Sequence, residues 1–90
     1  MTQPVLAIYV SKYCQTCLYA YEVAEQIRCD FPAVDVRLVD VHETEAAIPE
    51  LVFATPTYLL DGRVWSLGNP SPEKVNKTFR NLKEQMQREN

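Results

Sequence analysis

The stretch that decides the architecture of the chain runs from residue 4 to residue 17 and reads PVLAIYVSKYCQTC. Its first part, residues 4–10, is apolar at every position. Such a run is typical of a central β-strand that is buried on both of its faces. Its last four residues hold two cysteines three positions apart, shortly after the predicted strand ends. The stretch therefore predicts a buried strand that leads directly into a pair of thiols.

Downstream of this stretch, the apolar residues change their period. From Gln15 onward they recur at spacings of three and four, which is one face of a helix. The positions are Ala20, Val23, Ala24, Ile27 and Phe31. Pro32 ends this helix because a proline disfavours helical geometry in the residue before it. Residues 34–40, VDVRLVD, then read as a strand, so the first 40 residues predict a right-handed βαβ unit with parallel strands.

The second half of the chain predicts a hairpin between two helices. A short helix is expected within residues 43–51, with Thr44 as its cap ahead of Ala46 and Ala47, and with Pro49 limiting its length. Two β-prone runs follow, TYLL at 57–60 and RVWSL at 63–67.

The pair Asp61-Gly62 between those runs is a strong signal for a β-hairpin turn, since both turn residues need positive φ. A last helix begins with Ser71 as its N-cap and Pro72 at its first position. Its apolar stripe consists of Val75, Phe79, Leu82 and Met86. The predicted order of elements is β-α-β-α-β-β-α.

Composition limits the class of protein. The 90 residues are 47% hydrophobic and 23% charged, which is ordinary for one globular domain spanning residues 1–90. A net charge of −3 with scattered basic residues gives no electrostatic footprint for nucleic acid. The longest apolar run, Val5–Val10, is too short to cross a bilayer. We therefore expect a monomer that binds neither nucleic acid nor membranes.

The N-terminus and the cysteine count indicate a compartment. The first residues carry no basic region and no cleavage site of a signal peptide, which makes the cytoplasm the expected location. Three cysteines are an odd number and argue against a secreted fold held together by disulfides. In a reducing compartment, thiols serve chemistry, metal binding or packing.

The pair Cys14 and Cys17 lies where the first strand hands over to the first helix. Free N–H groups at a helix start stabilise negative charge, and Lys12 adds to that effect, so a thiolate is favoured here. A helical turn brings the sulfur of Cys17 back toward that of Cys14. One thiol can then attack a disulfide and the other can resolve the mixed disulfide.

A zinc site is the other interpretation of a Cys-x-x-Cys pair. Such a site usually needs four ligands, commonly from two pairs of this kind. The further candidates in this chain are Cys29 and His42, which are single and far apart in the predicted fold. Thiol–disulfide chemistry is the interpretation that the spacing favours.

The element order, the CQTC motif and Thr55-Pro56-Thr57 before the hairpin together resemble the thioredoxin superfamily. The segment TPTYLLDGRV, residues 55–64, is particularly similar to the segment around the cis-proline of thioredoxins. A chain that starts directly on the βαβ unit is similar to glutaredoxins in size. The resemblance covers Val5 to about Arg88.

This resemblance implies an α/β thioredoxin-like fold with a mixed four-stranded sheet in the order β2-β1-β3-β4, flanked by helices. The first and third helices are expected on opposite sides of the sheet. Cys14 would be the exposed nucleophile and Cys17 the partly buried resolving thiol. A cis Thr55–Pro56 bond would face the cysteines, and the Thr55 backbone would pair with an extended substrate segment.

The implied function is a dithiol–disulfide oxidoreductase acting on protein or small-molecule disulfides, with a role in electron transport and redox homeostasis. This chemistry needs neither a metal nor an organic cofactor. The implied partners are disulfide-containing proteins or glutathione, together with a reductant. That reductant would be glutathione, another thiol or a flavin-dependent reductase.

Several residues depart from the patterns of the superfamily. The cysteines enclose Gln15-Thr16 rather than the Gly-Pro of thioredoxins or the Pro-Tyr of glutaredoxins. Tyr13 stands where thioredoxins have tryptophan, and Ile8 where they have a buried acidic residue. Ser71-Pro72-Glu73 replaces the paired aspartates of glutaredoxins.

The remaining candidate residues receive simpler interpretations. Lys12, the Thr55-Pro56 loop and Gly68 occupy the positions expected of a glutathione site. Tyr13, beside the nucleophile, is expected to contact a bound partner. Outside the site, Cys29 is expected to be a packing residue, His42 a surface residue and Trp65 a residue packed on the sheet.

Two alternatives stay open from the residues alone. The first is a redox-sensing or partner-binding module in which oxidation of Cys14 and Cys17 changes affinity rather than supporting turnover. The second is a metal-binding domain that uses both cysteines and a third ligand.

Overall fold

The computed structural model describes residues 3–44 and 47–88, with six regular elements. In chain order they are β1 Val5–Val10, α1 Cys17–Asp30, β2 Asp35–Asp40, β3 Thr57–Leu60, β4 Arg63–Leu67 and α2 Pro72–Arg88. The predicted boundaries differ by a residue or two at most. The largest difference is at the start of α1, which begins at Cys17 rather than at Gln15.

The four strands form one mixed sheet in the order β2-β1-β3-β4. Strand β1 pairs in parallel with β2 and antiparallel with β3, and β3 pairs antiparallel with β4. The order and the mixture of directions are those predicted. An irregularity in the register between Tyr58 and Leu59 disturbs the last pairing and leaves Trp65 without a partner in the register.

The turn of the hairpin and the start of α2 form as the sequence predicts. Asp61 and Gly62 both have positive φ, at 51° and 84°. The side chain of Ser71 accepts a hydrogen bond from the N–H of Lys74 at 3.1 Å, which is the N-cap contact expected of it. The stripe of α2 faces the core through Val75, Phe79 and Leu82. The side chain of Met86 lies outside the described residues.

The hydrophobic core lies on one face of the sheet and is covered by both helices. On that face, β1 contributes Leu6, Ile8 and Val10, which are at most 1% exposed. The helices add Ala20, Val23, Ala24 and Ile27 from α1, and Val75 and Phe79 from α2. The ring of Phe31, which follows α1, lies 5.7 Å from that of Phe79.

This arrangement corrects two predictions. The expectation that the first and last helices pack on opposite sides of the sheet is wrong, since residues of both helices belong to one core cluster with Leu6, Ile8 and Val10, which share one face of β1. Burial of β1 on both faces is also wrong, because Val5, Ala7 and Tyr9 are only half-buried. An apolar stripe shows that a helix packs on a sheet, but not on which face it does so.

The short helix expected within residues 43–51 does not form in the described part of that segment. Residues 41–43 form a turn, residues 47–49 have no regular structure, and a turn closed by a bond from Val52 N–H to the carbonyl of Pro49 follows. Pro49 supplies no N–H donor, which works against a helix at this point. Ala46, part of the same prediction, lies outside the described residues.

Neither described helix is both long enough and apolar enough to cross a membrane.

Candidate functional site

A tight turn carries the two cysteines from β1 into α1. The N–H of Cys14 bonds to the carbonyl of Ser11 at 3.1 Å, and the N–H of Cys17 to that of Cys14 at 3.2 Å. Leu18 continues the pattern with a bond to Gln15 at 3.2 Å. These bonds span three residues rather than four, so the turn is tighter than an α-helix. It sets Cys14 just ahead of the first helical residue, Cys17.

The two sulfurs of the pair stand in different environments. Cys17 is completely buried in the core, whereas Cys14 is partly exposed, and both are free thiols. Side-chain hydrogen bonds with Cys17 and, next, with Thr16 lower the pKa of Cys14 from 9.0 to about 7. Burial is the main cause that raises the pKa of Cys17. At neutral pH the outer sulfur is therefore the one that ionises.

The Thr55-Pro56 loop forms one wall beside Cys14. The Thr55–Pro56 peptide bond is cis, as expected. The carbonyl oxygen of Thr55 lies 3.6 Å from the Sγ of Cys14. Gly68, with φ +85°, donates its N–H to the carbonyl of Pro56 at 2.9 Å. The structure thus places Thr55 beside Cys14 and joins Gly68 to the adjacent Pro56, while a role in binding substrate stays a prediction for all three.

A groove of about 470 Å³ opens on another side of Cys14. Its lining includes Lys12, Tyr13, Leu18 and Tyr21. Tyr13 is 77% exposed, and Leu18 is 71% exposed. The Nζ of Lys12 lies over the ring of Tyr13, 5.4 Å from the ring centroid. A mainly apolar groove with the cationic group of Lys12 therefore borders the sulfur of Cys14, while a role of Lys12 and Tyr13 in binding substrate stays a prediction.

Asn69 contacts the cysteine turn, although nothing in the sequence singles it out. Its Nδ2 donates to the backbone carbonyl of Thr16 at 2.8 Å, and its Oδ1 accepts from the hydroxyl of Tyr58 at 2.8 Å. Because Tyr58 is fully buried in the sheet, Asn69 ties the cysteine turn to the hairpin. No motif in the sequence signals a contact across 53 residues.

Thr16 is the second residue that the sequence reading missed. Its Oγ1 lies 3.1 Å from the Sγ of Cys14. A threonine between two cysteines does signal a hydroxyl near the sulfurs, but the sequence does not say toward which atom it turns.

The structure also decides the simpler interpretations outside the pair. Cys29 is exposed, so the prediction that it serves packing is wrong. His42 is an exposed residue, as predicted, and its ring meets that of Tyr13 edge-on at 5.2 Å. Trp65 packs against the core, in edge contact with the rings of Tyr58 and Phe79.

Among residues 3–44 and 47–88, no group of three or more His, Cys, Asp or Glu side chains is arranged to hold a metal ion. The pair Cys14 and Cys17 thus lacks a third ligand of these types within the described part of the chain.

The pKa of Cys14 leads to a measurable pH profile. The rate at which iodoacetamide alkylates Cys14 in the reduced protein is expected to reach half of its plateau near the pKa of about 7. The rate rises with pH because the thiolate is the reactive form. Peptide mass spectrometry after timed quenching measures it at Cys14 alone. In urea the midpoint is expected to move up, since unfolding removes the hydrogen bonds. A folded-state midpoint above about pH 8.5, the value of a free cysteine, would contradict the assignment.

Comparison with solved structures agrees with the described architecture. The chain is similar to the X-ray structure of thioredoxin from Fasciola hepatica, with a TM-score of 0.69 and 23% sequence identity. The similarity covers 88% of this chain and 80% of that one. It shows that the chain has a thioredoxin-like fold, as the sequence predicted. No protein-family model matches the chain, and no curated protein matches it.

Proposed function

We propose that the protein is a dithiol–disulfide oxidoreductase. The observation that carries the proposal is the asymmetry of one pair of thiols: Cys14 is partly exposed with a lowered pKa, and Cys17 is buried with a raised pKa. An exposed thiolate is the form that attacks disulfides. Cys17 lies behind Cys14, so it can release the product only by attacking the sulfur of Cys14.

The reaction proceeds in two exchanges. The thiolate of Cys14 attacks one sulfur of the substrate disulfide, forms a mixed disulfide and expels the other substrate sulfur as a thiolate, which takes up a proton. Cys17 then loses its proton, attacks the Sγ of Cys14 and releases the second substrate thiol. Two electrons pass to the substrate, and the protein is left with a Cys14–Cys17 disulfide.

An external reductant must return the pair to the dithiol state. We propose glutathione, another thiol or a flavin-dependent reductase in this role, in a reducing compartment such as the cytoplasm. Glutathione is an acidic tripeptide, so Lys12 offers a charge for its carboxylates. No metal or organic cofactor takes part in either exchange.

The substrate class follows from the wall and the groove beside Cys14. We propose disulfides within extended protein segments, because the Thr55 backbone lies next to the reactive sulfur and offers main-chain hydrogen bonds that demand no particular sequence. Tyr13 and Leu18 would contact the apolar side chains that flank such a disulfide. The protein is proposed to act as a monomer.

Turnover of a model disulfide tests the proposal. With a thiol reductant in excess, the wild-type protein is expected to accelerate reduction of a peptide disulfide in proportion to its concentration. Cys14→Ser should lower the rate to that of the reductant alone, since it removes the attacking sulfur. Cys29→Ser, which alters an exposed thiol outside the pair, is the matched control and should keep the wild-type rate.

The alternative of a redox-sensing module predicts a different result. A protein that is oxidised at Cys14 and Cys17 but does not accelerate steady-state reduction would contradict the proposed enzyme. Such a protein would exchange once with the disulfide and then stop.

A further inference from the structure

Thr16 occupies the N-cap of α1 but does not cap the helix. Its backbone is helical, with φ −68° and ψ −18°, and its side chain makes no capping hydrogen bond. A threonine at this place usually accepts a bond from an N–H two or three residues on. Its Oγ1 lies instead 3.1 Å from the Sγ of Cys14. The hydroxyl is therefore turned toward the nucleophile and away from the helix.

The backbone of Thr16 is held from a second direction. Asn69 Nδ2 donates to the Thr16 carbonyl, and Asn69 itself is held by the hydroxyl of the buried Tyr58. A main-chain bond from the N–H of Tyr19 reaches the same carbonyl at 3.2 Å. The backbone of Thr16 is thus fixed, although its side chain lies at an exposed turn.

We propose that the Thr16 hydroxyl is a hydrogen-bond donor to the thiolate of Cys14, tuning the nucleophile on which the proposed function rests. The proton stays on Oγ1 and only its hydrogen-bond acceptor, the sulfur, changes charge. Hydrogen bonds to an ionised acceptor are stronger than those to a neutral one, so the contact favours the thiolate over the thiol. The lowered pKa of Cys14, to which the Thr16 hydroxyl contributes after Cys17, agrees with this role.

Other ionisable groups surround the pair, and their effects on the titration of Cys14 must be distinguished from the effect of Thr16. Cys17 lies behind Cys14 in the core, with the Tyr58 hydroxyl beyond it. Lys12 shares the groove, and His42 lies against the ring of Tyr13. None of these changes when only the hydroxyl of Thr16 is removed, so a matched substitution isolates its effect.

The test compares three proteins that all carry Cys29→Ser, so that the exposed third thiol does not react. Thr16→Val keeps the shape of the side chain and loses the hydroxyl, whereas Thr16→Ser keeps the hydroxyl. The pH profile of Cys14 alkylation by iodoacetamide is measured for each. A repeat with His42→Gln in all three removes any contribution of the imidazole to the profile.

Thr16→Val is expected to raise the midpoint by about one pH unit, the scale of one hydrogen bond to a charged group. The plateau rate at high pH should rise about threefold, because a thiolate of higher pKa is a stronger nucleophile. Thr16→Ser should keep the original midpoint. At about pH 5, where Cys14 is a neutral thiol in both the folded and the unfolded state, the urea concentration at half-unfolding should be unchanged in both variants, since the hydroxyl caps no helical N–H.

An unchanged midpoint in Thr16→Val would overturn the inference, as would an equal shift in Thr16→Ser. The measurement needs no disulfide substrate, so it stands apart from the proposed function. A protein with the expected shift but no turnover would refute the oxidoreductase and leave the role of Thr16 in place. Turnover without the shift would refute the role of Thr16 alone.

Discussion

Cys17→Ser is expected to convert the protein almost completely into a mixed disulfide with a disulfide-containing peptide, linked through Cys14. The serine oxygen does not displace the Cys14 sulfur, so the first exchange proceeds and the second does not. Since the substrate reaches only the partly exposed sulfur, the link forms at one position. Intact mass spectrometry without reductant, followed by peptide mapping, measures both the amount and the position of the link.

Cys14→Ser is the matched control for this trap. It leaves Cys17, whose sulfur is fully buried and whose pKa burial raises, so it offers the substrate neither contact nor thiolate. Both variants are made with Cys29→Ser to remove the exposed thiol from the comparison. Equal trapping by the two variants would refute the assignment of Cys14 as nucleophile and Cys17 as resolving thiol.

Phe79→Ala is expected to destabilise the fold by about 3–5 kcal/mol, the usual cost of emptying a buried phenylalanine site. Phe79 is 1% exposed and holds α2 on the sheet. Its ring lies 5.3 Å from that of Trp65 and 5.7 Å from that of Phe31. The substitution therefore removes the ring contacts that join α2 to Trp65 of the hairpin and to Phe31 after α1. Urea unfolding followed by circular dichroism measures the loss.

Arg80→Ala provides the control for Phe79→Ala. Arg80 is the next residue of α2 and is exposed, so its loss should change the free energy of unfolding by no more than about 0.5 kcal/mol. A loss below about 1 kcal/mol in Phe79→Ala would contradict the assignment of this ring to the core.

The sequence predicted the strands and the terminal helix well because each carries a local signal. The two β-prone runs flank Asp61-Gly62, a pair that strongly favours a hairpin turn. Ser71-Pro72 marks the residue at which the last helix begins. The order of the strands came from the resemblance to a known superfamily. The pair Cys14 and Cys17 was evident from its spacing and from its position after the first strand.

Other features depend on contacts between distant parts of the chain and leave no local pattern. The face on which α2 packs depends on the contacts of Phe79 with Phe31 and Trp65, residues that lie far apart in the chain. The Asn69 contact joins two loops. The Thr16 hydroxyl can bond either to a helical N–H or to the sulfur of Cys14, and the sequence alone does not distinguish these two partners.

The bridge from Tyr58 through Asn69 to the carbonyl of Thr16 has a consequence for local motion. Surface turns commonly open by themselves, at a fraction of the free energy of global unfolding. Here, opening of the cysteine turn must first break the bond from Asn69 to the Thr16 carbonyl. Asn69 is itself held by the hydroxyl of Tyr58, which is fully buried. The cysteine turn is thereby tied to the hairpin by a side-chain bridge, and we expect the two to open together.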